Sequence, residues 1–519
     1  MGNWSNDGFS RREFIGLGAA TLAAASAGEL LSACASGPVR PAANAAGGIG
    51  YFSRFGVSEA MIQDALAAAL SRGGDYAELF FQHRVSDIVG LEDGEVNRGY
   101  TQVELGVGVR VLKGDQTGYA YTEDLTQDSV RRAAQTAAAV ADGPARPGPQ
   151  SFKVEAKLPQ RYLIKQRWED VLPAQRLPIV ASLNEQAFKK DARIKKVSIS
   201  MGSEAGAVLI ADSLGRLVED VQPMTDLRIS CTAEQGARRE SGWSSRAGRA
   251  GFEFYEPKLL AEIVDEAVRR TVVLFDAAPA PVGEMPVVLG SGVSGILLHE
   301  AIGHGMEADF NRKGISIFAD RVGKQVAQDF VTIVDDGSVE HGRGTINVDD
   351  EGHVAGRTVL VEKGVLTTYM HDLISSQHYK VDPTGNGRRQ SYAFPPLPRM
   401  RATYMLNGPH KPAEVIASVK KGIFVENIGN GQVQIGAGDF SFYVTNGSLI
   451  EDGKLTKPIK DVNLIGNGPK VLEKIDMVGD DLKIEHSAGY CGKNGQRVPV
   501  SFGLPTVRVS AITVGGRKG

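Results

Sequence analysis

The chain has 519 residues, enough for roughly two to four domains with substantial cores. Lys plus Arg number 58 and Asp plus Glu number 61, and this balance argues against a protein built to bind nucleic acid, which would carry a basic excess. Hydrophobic residues at 42% and charged residues at 23% exclude a mainly disordered chain, and three cysteines are too few for a disulfide framework.

The first 34 residues have the pattern of an export signal rather than of a folded segment. Arg11 and Arg12 stand before an apolar run from Ile15 to Leu31, and this arrangement resembles a bacterial twin-arginine signal. The run leads into a lipobox-like sequence whose cysteine, Cys34, would become the lipidated first residue of the mature protein. We therefore predict export by the twin-arginine route to the periplasm, with a lipid anchor to the membrane as one outcome.

Two other interpretations of this segment stay open. The apolar run would serve as a transmembrane helix only if it were longer, because about 17 residues with Glu29 among them fall short of the ~20 that a span needs. Cleavage at a small-residue site such as Ala25–Ala27 would instead release a protein without lipid. The residues that follow, rich in Ala, Gly and Pro, predict a tether over 35–56.

Residues 57–276 are predicted to form an N-terminal α+β domain with two subparts, 57–150 and 151–276. Amphipathic stretches, the first capped by Ser58, predict helices at 58–69, 125–141, 168–190 and 257–275. Alternating runs bounded by turn residues predict mixed or antiparallel strands at 76–82, 88–91, 103–112, 197–200, 207–211 and 227–233. The arginine-rich residues 238–249 are predicted to form a solvated loop.

Residues 284–515 are predicted to form a second domain, made mainly of antiparallel strands. Turns that contain glycine are frequent in this part of the chain, and helical stretches are few. Eight of the nine histidines lie at or after His299, and only His83 lies before it. A metal site or an acid–base site is therefore expected in the second domain.

The strongest candidate for chemistry is the segment that contains His299, Glu300 and His304. Two histidines with an adjacent glutamate are typical of metalloprotease helices, where a spacing of four residues places both imidazoles on one face. Here the spacing is five, and on an ideal helix the two side chains would point roughly 140° apart. Gly303 permits a helix end or a one-residue bulge that brings His304 back towards His299. The alternative is a half-buried helix whose histidines and glutamate only hydrogen-bond to one another.

A catalytic zinc site needs three protein ligands and one open position. Residue type leaves several candidates for the third ligand, namely Glu307, His371, His378, His486 and Cys491. Cys491 is the most interesting, because a thiolate is a strong zinc ligand and the flanking glycines allow the backbone to approach a metal closely. A small buried hydrophobic residue is the alternative for this cysteine, and it is the better interpretation for Cys231.

Three motifs in order along the chain carry a resemblance to a known family. The first is the histidine–glutamate–three residues–histidine motif at 299–304, the second begins TGNGRR at Thr384, and the third begins CGKNGQ at Cys491. On these motifs the chain resembles the TldD branch of the TldD/PmbA (TldE) metalloprotease family, and the likeness covers residues 57–515.

The resemblance implies a zinc peptidase. Its Zn²⁺ ligands would be His299, His304 and Cys491, and Glu300 would act as the general base. The resemblance also implies that the substrates are unfolded or short peptides, held by β-strand addition in a chamber formed with a TldE-like partner subunit or, alternatively, in a homo-oligomer. Family members are typically cytoplasmic, so the predicted export signal sets this chain apart.

Two other functions fit some of these residues. A zinc site of two histidines and one cysteine also suits an amidase or a deformylase that hydrolyses small amides. A non-catalytic peptide-binding subunit is the second alternative, and the presence of His299, Glu300, His304 and Cys491 together argues against it. No nucleic-acid partner is expected.

Overall fold

The computed structural model describes residues 49–154, 158–162, 164–292, 294–487 and 489–516. The α+β class predicted from the sequence is confirmed, with more residues in strands than in helices. The predicted export signal, its lipidation site Cys34 and most of the predicted tether lie outside the described residues. Within the described ranges, no helix is long and apolar enough to cross a membrane.

A seven-stranded, mostly antiparallel sheet dominates the N-terminal half. Its strands run in the order β3-β2-β1-β5-β6-β7, and β4 pairs in parallel with the beginning of β6. The bounds are β1 Tyr76–Glu92, β2 Glu95–Lys113, β3 Gln116–Thr122, β4 Lys153–Val154, β5 Ile194–Asp212, β6 Arg216–Gln235 and β7 Arg238–Gly248.

In two places, the alternation of polar and apolar side chains predicts two short strands where the structure has a single long strand. Residues 76–82 and 88–91 both belong to β1, and residues 197–200 and 207–211 both belong to β5. The residues between these runs are mostly polar or glycine, so they interrupt the hydrophobic pattern. Their backbone groups nevertheless stay in register between β1 and β5, and pairing continues where the side-chain pattern stops.

Two pairs of helices cover opposite ends of the long strands. Helices α1 (Glu59–Leu70) and α2 (Gln127–Ala138) share one apolar core with the sheet, and α3 (Pro173–Lys190) and α4 (Pro257–Val272) share another. The predicted cap of α1 is present, since Ser58 Oγ accepts a hydrogen bond from the backbone of the third helical residue at 3.3 Å.

Two local predictions are wrong. The helix predicted from residue 168 begins at Pro173, because Leu172 before the proline is held in an extended conformation, with ψ 151°. The loop predicted at 238–249 is the strand β7, which pairs with β6 along its whole length. Its arginines lie on a strand whose backbone hydrogen bonds are made by the sheet, so a high charge density did not prevent strand formation.

The C-terminal half contains a small closed barrel and a second sheet. In the barrel the strands run β16-β9-β25-β19-β17, and β17 also pairs with β16 to close the ring. The second sheet runs β12-β11-β10-β15-β24-β21. The bounds are β8 Ala278–Pro279, β9 Gly283–Leu289, β10 Ile333–Asp336, β11 Arg357–Glu362, β12 Val365–Leu366, β13 Gly387–Arg388, β14 Leu397–Pro398, β15 Ala402–Met405, β16 Lys421–Gln434, β17 Asp439–Glu451, β18 Lys454–Lys460, β19 Val462–Asn467, β20 Ile475–Val478, β21 Lys483–Glu485, β22 Tyr490–Lys493, β23 Gln496–Pro499, β24 Ser501–Leu504 and β25 Val507–Gly516.

Short helices connect these strands, and one of them leads into the histidine motif. They are α5 Gly295–Leu298, α6 Ala308–Arg312, α7 Leu373–Tyr379, α8 Pro412–Ala417 and α9 Gly468–Glu473. The apolar side chains of Leu298, Ile302 and Met306 are buried in the main C-terminal core, which both the barrel and the second sheet line. This packing holds the motif at 299–304 between the two sheets.

The C-terminal half packs directly on the N-terminal sheet. The ring of Tyr392 lies against Gly106 on β2, where a Cβ atom would overlap it. Arg110, also on β2, donates to Glu78 at 2.7 Å and to Glu351 of the C-terminal half at 2.6 Å. All three of these charged side chains are buried, and their pairing joins the two halves.

Candidate metal centre

Helix α5 does not continue as a regular α-helix through the histidine motif. Residues His299–Gly303 form a single π turn, in which the His304 N–H donates to the His299 carbonyl group five residues earlier. Residues His304–Met306 follow as a short 3₁₀ turn. Because the π turn closes over five residues, His304 returns to the side of His299, and the irregular turn predicted here is confirmed.

Gly303 has a different role from the one predicted. Its φ of −58° and ψ of −49° are ordinary right-handed helical values that any residue adopts. A Cβ atom at this position would overlap the Sδ atom of Met400, which is fully buried. Glycine is therefore needed for the close packing of the π turn against Met400 rather than for backbone freedom.

Cys491 reaches the histidines on a β-hairpin. Strands β22 and β23 pair antiparallel, and Asn494 and Gly495 connect them with φ values of 49° and 74°. Two consecutive residues with positive φ form the tight two-residue turn that suits a hairpin. Gly492 has free space where a Cβ would lie. The glycines thus form the turn and leave the strand surface open, whereas the sequence predicted a close approach of the backbone to a metal.

The three predicted metal ligands lie together. One nitrogen of His299, one nitrogen of His304 and Sγ of Cys491 lie within 4.8 Å of one another, and all three side chains are buried. His304 Nε2 is 3.3 Å from Cys491 Sγ. Ligands on one tetrahedral zinc ion, with bonds of about 2.0–2.3 Å, are themselves separated by roughly 3.5 Å. Nδ1 of His299 has no hydrogen-bond partner among the described residues, so the side chain has a buried nitrogen that is not otherwise used. Both this free nitrogen and the types of the three side chains fit a bound metal ion.

The electrostatics of the cluster favour a thiolate. Burial raises the pKa of the Cys491 thiol, but His304 and His299 outweigh burial and hold that pKa well below its ordinary value. Burial likewise lowers the pKa of His304, while Glu307 and Cys491 together raise it well above its usual value. Thiolate is the form of cysteine that binds metals.

Glu307 acts behind His304 rather than as a third ligand. Its Oε2 lies 2.9 Å from His304 Nδ1, on the far side of the ring from the Nε2 atom that faces Cys491. Burial raises the pKa of Glu307, but Lys493, His304 and Arg399 lower it to about 2, so the side chain is a carboxylate. A carboxylate in this position fixes the tautomer and the orientation of a metal-binding histidine.

Lys493 and Arg399 complete this support, and sequence reasoning did not assign them a role. Lys493 Nζ lies 3.1 Å from Glu307 and 2.7 Å from Asp309, and Arg399 donates to the Cys491 carbonyl group at 2.6 Å. The signal for Lys493 was its place in the Cys491 motif, two residues from the thiolate on the same face of β22. The signal for Arg399 was its place in the second motif, which begins at Thr384 and continues through 398–400.

We expect Glu307→Gln to lower zinc affinity by ~10–100-fold, the usual effect of losing a carboxylate behind a histidine ligand. The amide keeps the shape of the side chain but removes its charge. Affinity is measured by competition with a chromophoric zinc chelator. Asp309→Asn is the matched control, because Asp309 also binds Lys493 but makes no hydrogen bond to His304. Equal affinities for the two variants would contradict the orienting role.

Glu300 lies at the opening of the cluster. Its Oε2 is 3.8 Å from His304 Nε2, the nitrogen that faces Cys491. Its side chain is 23% exposed, whereas His299, His304 and Cys491 are all buried. Glu300 is therefore the predicted site residue that both reaches the cluster and has contact with solvent, which is the position that a general base requires.

The remaining candidates for the third ligand lie elsewhere. His371 hydrogen-bonds to Thr368 and packs against two tyrosines, and His378 packs against one of them. His486 is not in the cluster either. Burial raises the pKa of the Cys231 thiol to about 12, which agrees with its interpretation as a small buried hydrophobic residue.

A second group of metal-binding residue types, Asp349, Glu351 and His353, has its oxygen atoms already engaged. Asp349 Oδ1 accepts hydrogen bonds from the backbone N–H groups of Glu351 and His353, and its Oδ2 accepts one from Gly387. Glu351 accepts from Arg110. The group is therefore a turn stabilised by a carboxylate rather than a second metal centre.

Comparison with known proteins assigns the chain to a family. Residues 77–141 match the PmbA/TldA metallopeptidase domain 1, residues 166–275 match the central domain, and residues 282–516 match the C-terminal domain. A protein of Haemophilus influenzae named "Metalloprotease TldD homolog" is 40% identical over 454 residues, which cover 86% of this chain and 94% of the relative. The chain belongs to the TldD/PmbA family.

Other members of the TldD/PmbA family are also similar. The "Metalloprotease TldD homolog" of Buchnera aphidicola subsp. Acyrthosiphon pisum is 38% identical over 87% of this chain and 95% of its own length. The "Zinc metalloprotease TldD homolog" of Saccharolobus solfataricus is 34% identical over 49% of this chain and 57% of its own length. By family, the chain is a metallopeptidase, a hydrolase of peptide bonds, as the sequence predicts.

A solved structure shares the fold. The crystal structure of TldE from Thermococcus kodakarensis has a TM-score of 0.71 and covers 88% of this chain and 99% of its own chain. Its sequence identity is 17%, so the similarity concerns the arrangement of strands and helices alone.

Proposed function

We propose that this chain is a zinc-dependent peptidase that hydrolyses unfolded or short peptides. The observation that carries the proposal is the convergence of His299, His304 and Cys491 in one buried cluster with Glu300 at its opening. Imidazole and thiolate are both ligand types that zinc prefers, and three protein ligands leave the fourth position open. A zinc ion bound there supplies Lewis acidity, which makes water acidic enough to ionise near neutral pH and polarises a peptide carbonyl group.

The side chains around the cluster have separate tasks in this reaction. Glu300 accepts a proton from the attacking water and then delivers it to the leaving amine. Glu307 holds Nδ1 of His304, so that Nε2 stays directed towards the cluster. Arg399 and Lys493 neutralise the buried charge of Glu307 and fix the strand that carries Cys491.

The strand that carries Cys491 supports peptides as the substrate class. Strand β22 pairs with β23 along one edge, and among the described residues its other edge has no strand partner. Tyr490 and Gly492 are exposed on this strand, on either side of the buried Cys491. An extended peptide that adds to a free edge is recognised through its backbone, which favours unfolded chains of varied sequence.

We propose in addition that the chain works with a TldE/PmbA-like subunit, in a chamber that admits only unfolded or short peptides. The support for this partner is the family resemblance and the shared fold of a solved TldE. A homo-oligomer is the alternative arrangement. The two are distinguished by co-purification of the chain with a co-expressed TldE-like protein and by the mass of the resulting assembly.

The sequence before residue 35 leads us to propose export by the twin-arginine route to the periplasm, with or without lipid on Cys34. This route carries folded proteins, so zinc and the Cys491 thiolate would combine before the thiol meets an oxidising compartment. Replacing the Arg11–Arg12 signal by one for unfolded export should then give protein with less zinc per chain. Equal zinc content by both routes would contradict the protective role of the pathway.

The function is tested with purified, zinc-loaded protein and two kinds of substrate. We expect cleavage of an unstructured peptide, abolished by a chelator and restored by zinc, and little hydrolysis of formylated or acylated small amides. The reverse preference would identify the amidase or deformylase alternative. Zinc binding without hydrolysis of either substrate, in the presence of the TldE-like protein, would identify a non-catalytic subunit.

A further inference from the structure

The backbone of β22 offers unpaired hydrogen-bonding groups beside the metal centre. The residues that flank a two-residue hairpin turn bond to each other, so Lys493 and, two residues earlier, Cys491 direct their N–H and C=O groups towards β23. The backbone groups of Tyr490 and Gly492 point the other way, to the free edge. Outside the hairpin, neither backbone makes a hydrogen bond to the described residues. The complement of such an edge is the backbone of another extended chain.

The side chains of β22 alternate between two faces. Cys491 and Lys493 are buried on the face of the metal centre, whereas Tyr490 and Gly492 are exposed on the opposite face. A peptide that adds to the free edge keeps this alternation. The peptide residue across from Cys491 directs its side chain to the metal face, and the residue across from Gly492 directs its side chain to the exposed face.

Gly492 leaves an open place on that exposed face. Among the described glycines that lie within strands, Gly492, Gly99 and Gly283 alone have no atom within 4 Å of the position that a Cβ would take. Gly492 does not have a positive φ, so its backbone conformation does not by itself require glycine. What glycine provides here is therefore space over the strand.

The ring of Tyr490 stands next to this space. Residues two apart in a strand lie on one face at a separation of roughly 7 Å, so the Tyr490 side chain is the neighbour of Gly492 along β22. The side chain of Tyr490 is 45% exposed, and the guanidinium groups of Arg343 and Arg497 lie 4.5 and 5.3 Å from the centre of its ring. These cation–π contacts restrain the ring and leave part of it open to a ligand.

The hairpin itself does not fill the place over Gly492. Its cross-strand partner is Arg497, whose guanidinium lies near the Tyr490 ring and leaves the position over Gly492 empty to 4 Å. A glycine in a strand packs poorly by itself, and an aromatic side chain across from it on the neighbouring strand covers the bare backbone. Within the hairpin no aromatic residue takes that part, and the free edge is the remaining side from which one could come.

We infer that Gly492 and Tyr490 form a specificity subsite for an aromatic side chain of the peptide substrate. The ring of that peptide residue lies over the backbone of Gly492 and against the ring of Tyr490. Because this residue adjoins the one across from Cys491, it stands within about two positions of the bond that is cleaved. The inference rests on the proposed peptidase function and adds a side-chain preference to recognition through the backbone.

The preference is measured with one unstructured peptide in which each position around the cleavage point carries alanine or phenylalanine in turn. Cleavage points are read by mass spectrometry. We expect one position, within about two of the cleaved bond, at which phenylalanine raises kcat/KM by at least ~5-fold over alanine, equivalent to about 1 kcal/mol.

Variants at Gly492 assign this preference to the proposed place. Gly492→Asp fills it with a hydrated carboxylate, which a ring could cover only by removing its water, so the ratio of phenylalanine to alanine should fall to about one. Gly99→Asp is the matched control, because Gly99 is also an exposed strand glycine with open space, but on β2. It should keep the ratio. Zinc content is verified first, and Gly492→Asn, which adds no charge, takes the place of Gly492→Asp if the carboxylate lowers it.

Variants at Tyr490 test the second wall. Tyr490→Ala removes the ring and should lower the ratio several-fold, whereas Tyr490→Phe retains the ring and should keep the ratio. A merely structural role of Tyr490 would instead change the cleavage of the alanine and phenylalanine peptides by the same factor.

Binding provides a readout that does not depend on hydrolysis. Affinities of the fluorescently labelled peptides for zinc-loaded Glu300→Gln protein, with and without Gly492→Asp, should follow the same order as kcat/KM. If the wild type cleaves no peptide, the peptidase proposal fails while the binding comparison still decides the subsite. Equal binding of alanine and phenylalanine peptides at every position, or a preference that the Gly492 variants leave unchanged, would overturn the inference.

Discussion

Cys491→Ala protein is expected to contain almost no zinc after purification, and His299→Ala and His304→Ala protein are expected to behave in the same way. The wild type should hold one zinc ion per chain. Removing any one of these three side chains leaves only two protein ligands. A catalytic zinc site needs three, so the zinc ion should be lost. The zinc content per chain is measured by inductively coupled plasma mass spectrometry. Peptide cleavage should disappear together with the metal.

His371→Ala is the matched control for this series. His371 is buried to the same degree as His299, with 2% of each exposed, but it lies outside the cluster. The His371→Ala variant should keep its zinc. Its melting temperature shows how much stability the loss of a buried histidine removes by itself. If Cys491→Ala retained full zinc occupancy while His486→Ala lost it, the assignment of the thiolate as third ligand would be wrong.

Glu300→Gln is expected to keep zinc and to lower peptide cleavage by at least ~10²-fold, the usual scale on which a lost general base acts. Glutamine preserves the shape of the side chain but cannot accept the proton. The decrease should appear in kcat, while the affinity for a peptide that is not cleaved changes little. Single-turnover cleavage on protein of verified zinc content is the measurement.

Glu340→Gln provides the comparison for Glu300. Glu340 also lies 3.8 Å from a histidine nitrogen, that of His341, but it is on the surface, with 89% of its side chain exposed. Its replacement should leave both zinc content and cleavage unchanged. Near-normal cleavage by Glu300→Gln would show that another group accepts the proton, and the catalytic role of Glu300 would have to be abandoned.

The fold could be predicted where side-chain pattern and backbone geometry agree. Helix α1 begins after Ser58 as expected, because a serine cap and an amphipathic repeat are both local properties. The long strands β1 and β5 could not be predicted at full length. Their middle residues are held by backbone pairing with neighbouring strands, and that pairing is not visible in the pattern of one strand.

The site was predictable to a different degree at each residue. His299, Glu300 and His304 form a sequence motif, and their unusual spacing alone indicates an irregular turn, which the structure has as a π turn. Cys491 was one of several candidates by residue type, and the family resemblance singled it out. The orienting role of Glu307 was not predicted, because residue type left it among the candidate ligands and only the structure shows that it faces Nδ1 of His304, three residues away. The support from Arg399 was not predicted either, because it depends on a contact between distant segments.

The sequence by itself therefore determined the α+β class, the family, the motif with its irregular turn and the residue types available for a metal. Only the tertiary structure decided which of those residues meet. It places Cys491 beside His304 and His299, which lie 187 and 192 positions earlier in the chain, because the hairpin of β22 and β23 packs against the π turn. Local patterns report the face of a helix or strand, whereas a site depends on how separate elements pack, and that packing is set by the whole core.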